Sequence, residues 1–277
     1  MEFLVSIDPH AAIVLAAVFG LAVGSWLTTV VQRLPRILEY DWDYPSRDAR
    51  PADAPPRPSL WRPACAGGGH GAVRRGWRRV PVLGWLLPWG GGDAGEARIP
   101  WRYPAMELLT AVLFALCAWR FGPGLAALCA MALVAALVTL AWIDAETGLL
   151  PDAITLPLVW AGLLVNTLHV YTSPVQAILG AALGYGFLRG LHHVFHWATG
   201  REGMGYGDFK LLAALGAWLG VAALPLVLIV ASTTGVIVGM ALIVARRVGR
   251  NEPQPFGPYL ALAGIVGLVT AGWPMPI

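Results

Sequence analysis

Charge is what this chain has least of. Only 13% of its 277 residues are charged, while 57% are hydrophobic and the mean hydropathy is +0.64. A soluble domain carries about twice that charge density, so the composition excludes one and makes a lipid bilayer the solvent for most side chains. Cysteine is also scarce: Cys65, Cys117 and Cys129 are too few, in settings too apolar, for a disulfide framework. Cys117 and Cys129 read as small packing residues. The first ten residues hold Glu2 and Asp8 but no Lys or Arg, which excludes the basic start of a secretory signal peptide. The apolar run from Ala11 to Val31 is therefore expected to be a retained first helix. Lysine occurs once, at Lys210.

What is present is a series of apolar runs punctuated by Gly, Pro and Arg. Twelve of the nineteen basic residues fall between Arg33 and Arg102. The positive-inside rule places that segment in the cytoplasm and the N-terminus outside. The sequence predicts a first transmembrane helix over 1–31, an irregular cytoplasmic subdomain over 32–103 and a transmembrane helix bundle over 104–277. Within the bundle, spans are expected at 104–121, 123–143, 151–171 and 174–197, each near the ~20 residues that a hydrocarbon core demands. Residues 209–245 read as two spans breaking near Gly220 to Pro225, because that break puts Arg246, Arg247 and Arg250 in the cytoplasm with Arg201. A last helix over 257–273 completes an all-α polytopic membrane protein of about eight transmembrane helices. Small residues four apart, at Gly20/Gly24, Gly180/Gly184, Gly216/Gly220 and Gly235/Gly239, predict close helix contacts.

Two cytoplasmic loops each carry an aspartate against an apolar span, Asp144 in "LAWIDAETGLLPD" and Asp208 in "GMGYGDFK". An ionisable group there is costly to keep and marks function. Asp152, by contrast, suits the first turn of a helix, and Glu146 reads as solvated. Gly203, Gly205 and Gly207 alternate ahead of Asp208, which lets another chain lie close to the backbone. Two carboxyls meeting at one site share a proton: the ionised one activates water and the protonated one donates to a peptide carbonyl oxygen, with no metal required.

Six ordered blocks, "GSWLTTVVQRLP", "VPVLGWLL", "RYPAMELLTA", "WIDAETGLLPD", "EGMGYGDFKLLAALGAWLG" and "PFGPYLALAG", resemble the bacterial type IV prepilin peptidases, membrane aspartic proteases of the GxGD kind. The resemblance implies a catalytic pair at Asp144 and Asp208, with Gly205, Gly207 and Lys210 shaping the site or meeting substrate. It implies prepilin or pseudopilin precursors as partners, cut at the cytoplasmic face of the bacterial inner membrane. It further implies S-adenosylmethionine-dependent methylation of the new amino terminus, for which Glu107 is the candidate residue. Members of the family commonly carry two CxxC pairs that resemble a zinc site. Here only Cys65 remains, with Arg62, Gly92 and Gly95 at other cysteine positions, so no metal is expected.

The remaining features have plainer readings. His192, His193 and His196 lack the glutamate of a zinc protease and read as headgroup contacts. "VRRGWRR" at 73–79 lies between spans and reads as a contact with anionic lipid or an acidic partner, not nucleic acid. Nothing in the sequence fixes the oligomeric state. The rivals to an enzyme are a non-catalytic subunit binding pilin precursors on the same scaffold, a transporter, and a presenilin-like intramembrane protease. Retention of both aspartates at a membrane edge, beside a cytoplasmic segment, favours the peptidase.

Overall fold

The computed structural model describes residues 8–45, 51, 54–60, 101–200, 204–245 and 254–270. Among these there are eight α-helices, one 3-10 turn and no strand. The helices are α1 (Pro9–Asp43), α2 (Arg102–Phe121), α3 (Leu125–Thr147), α4 (Asp152–Thr167), α5 (Pro174–Thr199), α6 (Tyr206–Leu219), α7 (Leu224–Val244) and α8 (Gly257–Thr270). Helices at Pro9–Asp43, Pro104–Phe121, Leu125–Thr147 and Val221–Val244 are long and apolar enough to cross a membrane, and Asp152–Thr167 and Gly257–Thr270 are shorter apolar helices. Large apolar side chains such as Phe19, Phe187, Ile237 and Val244 stand exposed, a surface suited to lipid and hostile to water.

The chain forms two compact units, one of His10–Leu116 and the other of Met1–Pro9 with Cys117–Ile277. In the smaller unit α1 does not stop where its apolar run ends but continues to Asp43, with Leu34 and Pro35 buried. Arg33 donates to the carbonyls of Ser59 and Leu60, and Arg57 clasps Asp41 at 2.6 and 2.7 Å, so the returning chain is tied to that extension. Gly20 and Gly24 press against α2: a methyl group on Gly20 would stand 2.7 Å from the Ala111 Cα, and one on Gly24 2.8 Å from the Glu107 Cα. Cys65, Arg62, Gly92, Gly95 and the run at 73–79 lie outside the described residues.

In the larger unit the helix ends have local causes. Gly148, with φ 67°, ends α3 in the left-handed conformation that glycine adopts most readily. Ser173 caps α5 by accepting from the Gln176 amide, with Pro174 in the first turn. The break foreseen near residue 220 falls at Gly220, with φ 83°, followed by the 3-10 turn Val221–Ala223. Its far side is fastened by Asn166, whose amide donates to the Ala217 and Trp218 carbonyls and accepts from the Tyr171 and Thr172 amides. α6 is the centre of this unit: from Asp208 to Trp218 every residue except Lys210 is buried, and the helix packs against α4, α5 and α8. Gly180 and Gly184 of α5 lie directly on the α6 backbone at Gly216 and Leu212, while Gly264 of α8 accepts the Leu215 side chain. Gly235 and Gly239 instead meet the side chains of Tyr259 and Gln254.

Candidate active site

Three helix ends converge on the two aspartates. α3 is apolar around its whole circumference until Asp144 in its last turn, and Asp144 is only 5% exposed. The helix closes with the Gly148 amide donating to the Asp144 carbonyl at 2.8 Å. The side chain is held separately, because Oδ2 of Asp144 accepts the Gly257 N–H at the start of α8, also at 2.8 Å. Asp208 is 6% exposed in the first turn of α6, three residues after the N-cap Gly205. That is the position from which a carboxylate faces the cap residue, and the Asp208 N–H donates to the Gly205 carbonyl at 3.3 Å. Oδ1 of Asp208 has no partner among the described residues, and Oδ2 is the oxygen nearer Gly205.

The two carboxyls lie within electrostatic reach of each other, the charge on Asp144 acting on Asp208. Gly207 explains how α6 comes so near the segment that follows Asp144. A methyl group at 207 would stand 2.5 Å from the Leu150 Cβ, so the missing side chain admits Leu150. Asp144 thus offers one oxygen fixed by a glycine amide, and Asp208 offers a buried oxygen with no partner among the described residues. This arrangement suits proton exchange with a shared water.

The other residues singled out in the sequence are spread around this pair. Lys210 contacts neither aspartate: its ammonium sits 2.6 and 2.7 Å from the two oxygens of Asp152 in the first turn of α4. Gly203 lies outside the described residues. Glu107 is 3% exposed within the smaller unit, where α1 packs on its backbone at Gly24. Of the histidines, His193 and His196 are exposed, but His192 is buried at 8% exposure, against the headgroup reading. Its ring lies 5.6 Å from both Tyr206 and Phe209, bracing the first turn of α6 from α5. Among the described residues no group of three or more His, Cys, Asp or Glu is placed to hold a metal ion.

Gly257 and Leu150 are the contributors that the sequence did not single out. Gly257 and Leu150 carry no ionisable group, and their contacts join segments far apart in the chain. The glycine in "PFGPY" was the only available signal, since a glycine between Phe and Pro at a helix start invites a steric explanation.

A helical chain with two buried carboxyls at converging helix ends defines a class, a membrane-embedded protein with an aspartate pair. The comparisons make it specific. Residues 131–240 match the type IV leader peptidase family, and residues 18–121 match the bacterial peptidase A24 N-terminal domain. The chain is 44% identical to a prepilin leader peptidase/N-methyltransferase of Aeromonas hydrophila, covering 92% of this chain and 89% of that one. It is 39% identical to a protein of the same name from Stutzerimonas stutzeri, covering 97% and 94%. A third, from Burkholderia pseudomallei, is 44% identical over 91% and 84%. No solved structure gives a significant match. The chain belongs to the type IV leader peptidase family.

Proposed function

We propose that this chain is a multi-pass aspartic endopeptidase of the bacterial inner membrane. It removes the short basic leader from type IV prepilins or pseudopilins at the cytoplasmic face. The observation that carries the reading is the pair itself: Asp144 and Asp208 are both buried, the charge of Asp144 acts on Asp208, and Asp144 is tethered through one oxygen. One carboxylate takes a proton from water as it attacks the scissile carbonyl and later gives it to the leaving amine; the other donates to the carbonyl oxygen and regains its proton as the tetrahedral intermediate collapses. The positive-inside rule, applied to eight spans, assigns the loops that carry Asp144 and Asp208 to the cytoplasm.

Gly205 and Gly207 contribute by what they lack. Without side chains there, an extended substrate can approach the α6 start. Lys210 shapes the site through Asp152 and has no need to touch substrate.

N-methylation of the new amino terminus is a second activity, favoured by the name its relatives carry. Glu107 would be its candidate residue. Gly20 and Gly24, the glycines beside it, are filled by the α2 backbone and form no cradle for S-adenosylmethionine. No step of cleavage is routed through that cofactor.

The test is incubation of purified protein with a prepilin in detergent. Leader removal is expected to fall by ~10³-fold or more in both Asp144→Asn and Asp208→Asn. Unchanged turnover in either variant refutes the mechanism, and a non-catalytic precursor-binding subunit would show binding without cleavage. The product mass decides methylation.

A further inference from the structure

Among the buried polar contacts of the larger unit, the one between Asp144 and Gly257 spans 113 residues of sequence. Gly257 opens α8, and its neighbours account for the rest of that helix start: the Tyr259 and Leu260 amides donate to the Phe256 carbonyl at 3.1 and 3.2 Å, and Pro258 has no N–H. The single remaining donor of the turn is therefore the Gly257 amide, and it points at Oδ2 of Asp144.

Backbone conformation does not explain the glycine. Among the described residues the glycines with positive φ are Gly122, Gly148, Gly200 and Gly220, and Gly257 is not one of them. Space does explain it. A Cβ at 257 would stand 2.6 Å from Oδ2, 3.0 Å from Cγ and 3.2 Å from Cβ of Asp144, so any side chain must displace the carboxyl.

We infer that Gly257 is a positioning residue for catalysis: its bare amide fixes the plane of the Asp144 carboxyl, leaving the second oxygen to handle the proton of the attacking water. This rests on the aspartic peptidase reading above. Asp144 is thus oriented by a glycine amide at the start of a helix remote from it in sequence. The hold comes from α8 and makes the active pair depend on a third helix.

The test uses the purified full-length protein in detergent with a prepilin substrate. Gly257→Ala is expected to lower kcat by ~100-fold while KM stays within about threefold, because the change displaces a reacting group and leaves remote substrate contacts intact. Alanine favours the helix, so a residue that only capped α8 would leave kcat per folded molecule unchanged. Replacing Gly257 by glycolate, an ester lacking the N–H but adding no atom to the side chain, is expected to lower kcat about tenfold or more. Gly190→Ala, at a glycine facing open space, serves as the control. Folded Gly257→Ala protein with kcat within about threefold of the parent overturns the inference, as does an unchanged ester variant; if Gly257→Ala does not fold, the ester variant decides. An inactive Asp144→Asn alongside fully active Gly257 variants sinks this inference alone, whereas an active Asp144→Asn sinks the peptidase reading itself.

Discussion

Lys210 of α6 clasps both carboxylate oxygens of Asp152 in α4, at 2.6 and 2.7 Å, and so links the helix whose first turn holds Asp208 to the one that follows Asp144. The chain's only lysine is thus spent between two helices flanking the site. Both partners are partly exposed, which limits the pair to about 1 kcal/mol or less. Lys210→Gln and Asp152→Asn are each expected to slow leader cleavage by roughly three- to tenfold without loss of folded protein. The exchanged pair Lys210→Asp with Asp152→Lys should recover part of the rate, as measured by initial velocities.

Asn166 is completely buried, and all four of its hydrogen-bonding capacities are used. Asn166→Leu would strand two amides and two carbonyls where water is scarce. Its expected cost is about 3 kcal/mol or more, seen as a lowered thermal midpoint in detergent. Asn166→Asp keeps the two acceptor bonds and should fall between the two.

Glycines on α5 separate into two kinds. Gly180 and Gly184 lie on the α6 backbone, whereas Gly186 and Gly190 face open space. Gly180→Val should abolish accumulation of folded protein, since neither backbone can retreat without losing the α5–α6 contact. Gly186→Ala should be neutral or stabilising by up to about 1 kcal/mol. Expression level and thermal unfolding distinguish the two outcomes.

Purified protein is expected to hold no stoichiometric zinc, because a lone Cys65 cannot supply a four-thiolate site. Metal analysis checks this directly. Cys65→Ser and chelator treatment should both leave the rate of leader removal unchanged.

Much of the helical pattern was legible in the sequence because bilayer thickness and backbone hydrogen bonding permit few alternatives. The expected spans over 104–121, 123–143 and 174–197 coincide with α2, α3 and α5 to within a few residues, and the break near Gly220 was visible from charge placement. α1 was read short, since its extension past Val31 depends on Arg33 and Arg57 meeting the returning chain. Asp144 and Asp208 were singled out because ionisable groups at an apolar boundary are conspicuous. The partner of Lys210 was not, because a contact across 58 residues leaves no local trace. Gly257 and Leu150 were silent for a related reason: they act by shape and by a backbone amide, which every residue except proline possesses.

The fourteen residues of α6 span about 21 Å, less than the ~30 Å of a bilayer interior, and nearly all of them are enclosed by neighbouring helices. Asp208 therefore rides on an element whose depth is set by protein walls instead of by surrounding lipid. Thinner or thicker membranes would tilt the outer helices while leaving the register between the two acids alone, so turnover should be nearly indifferent to acyl-chain length.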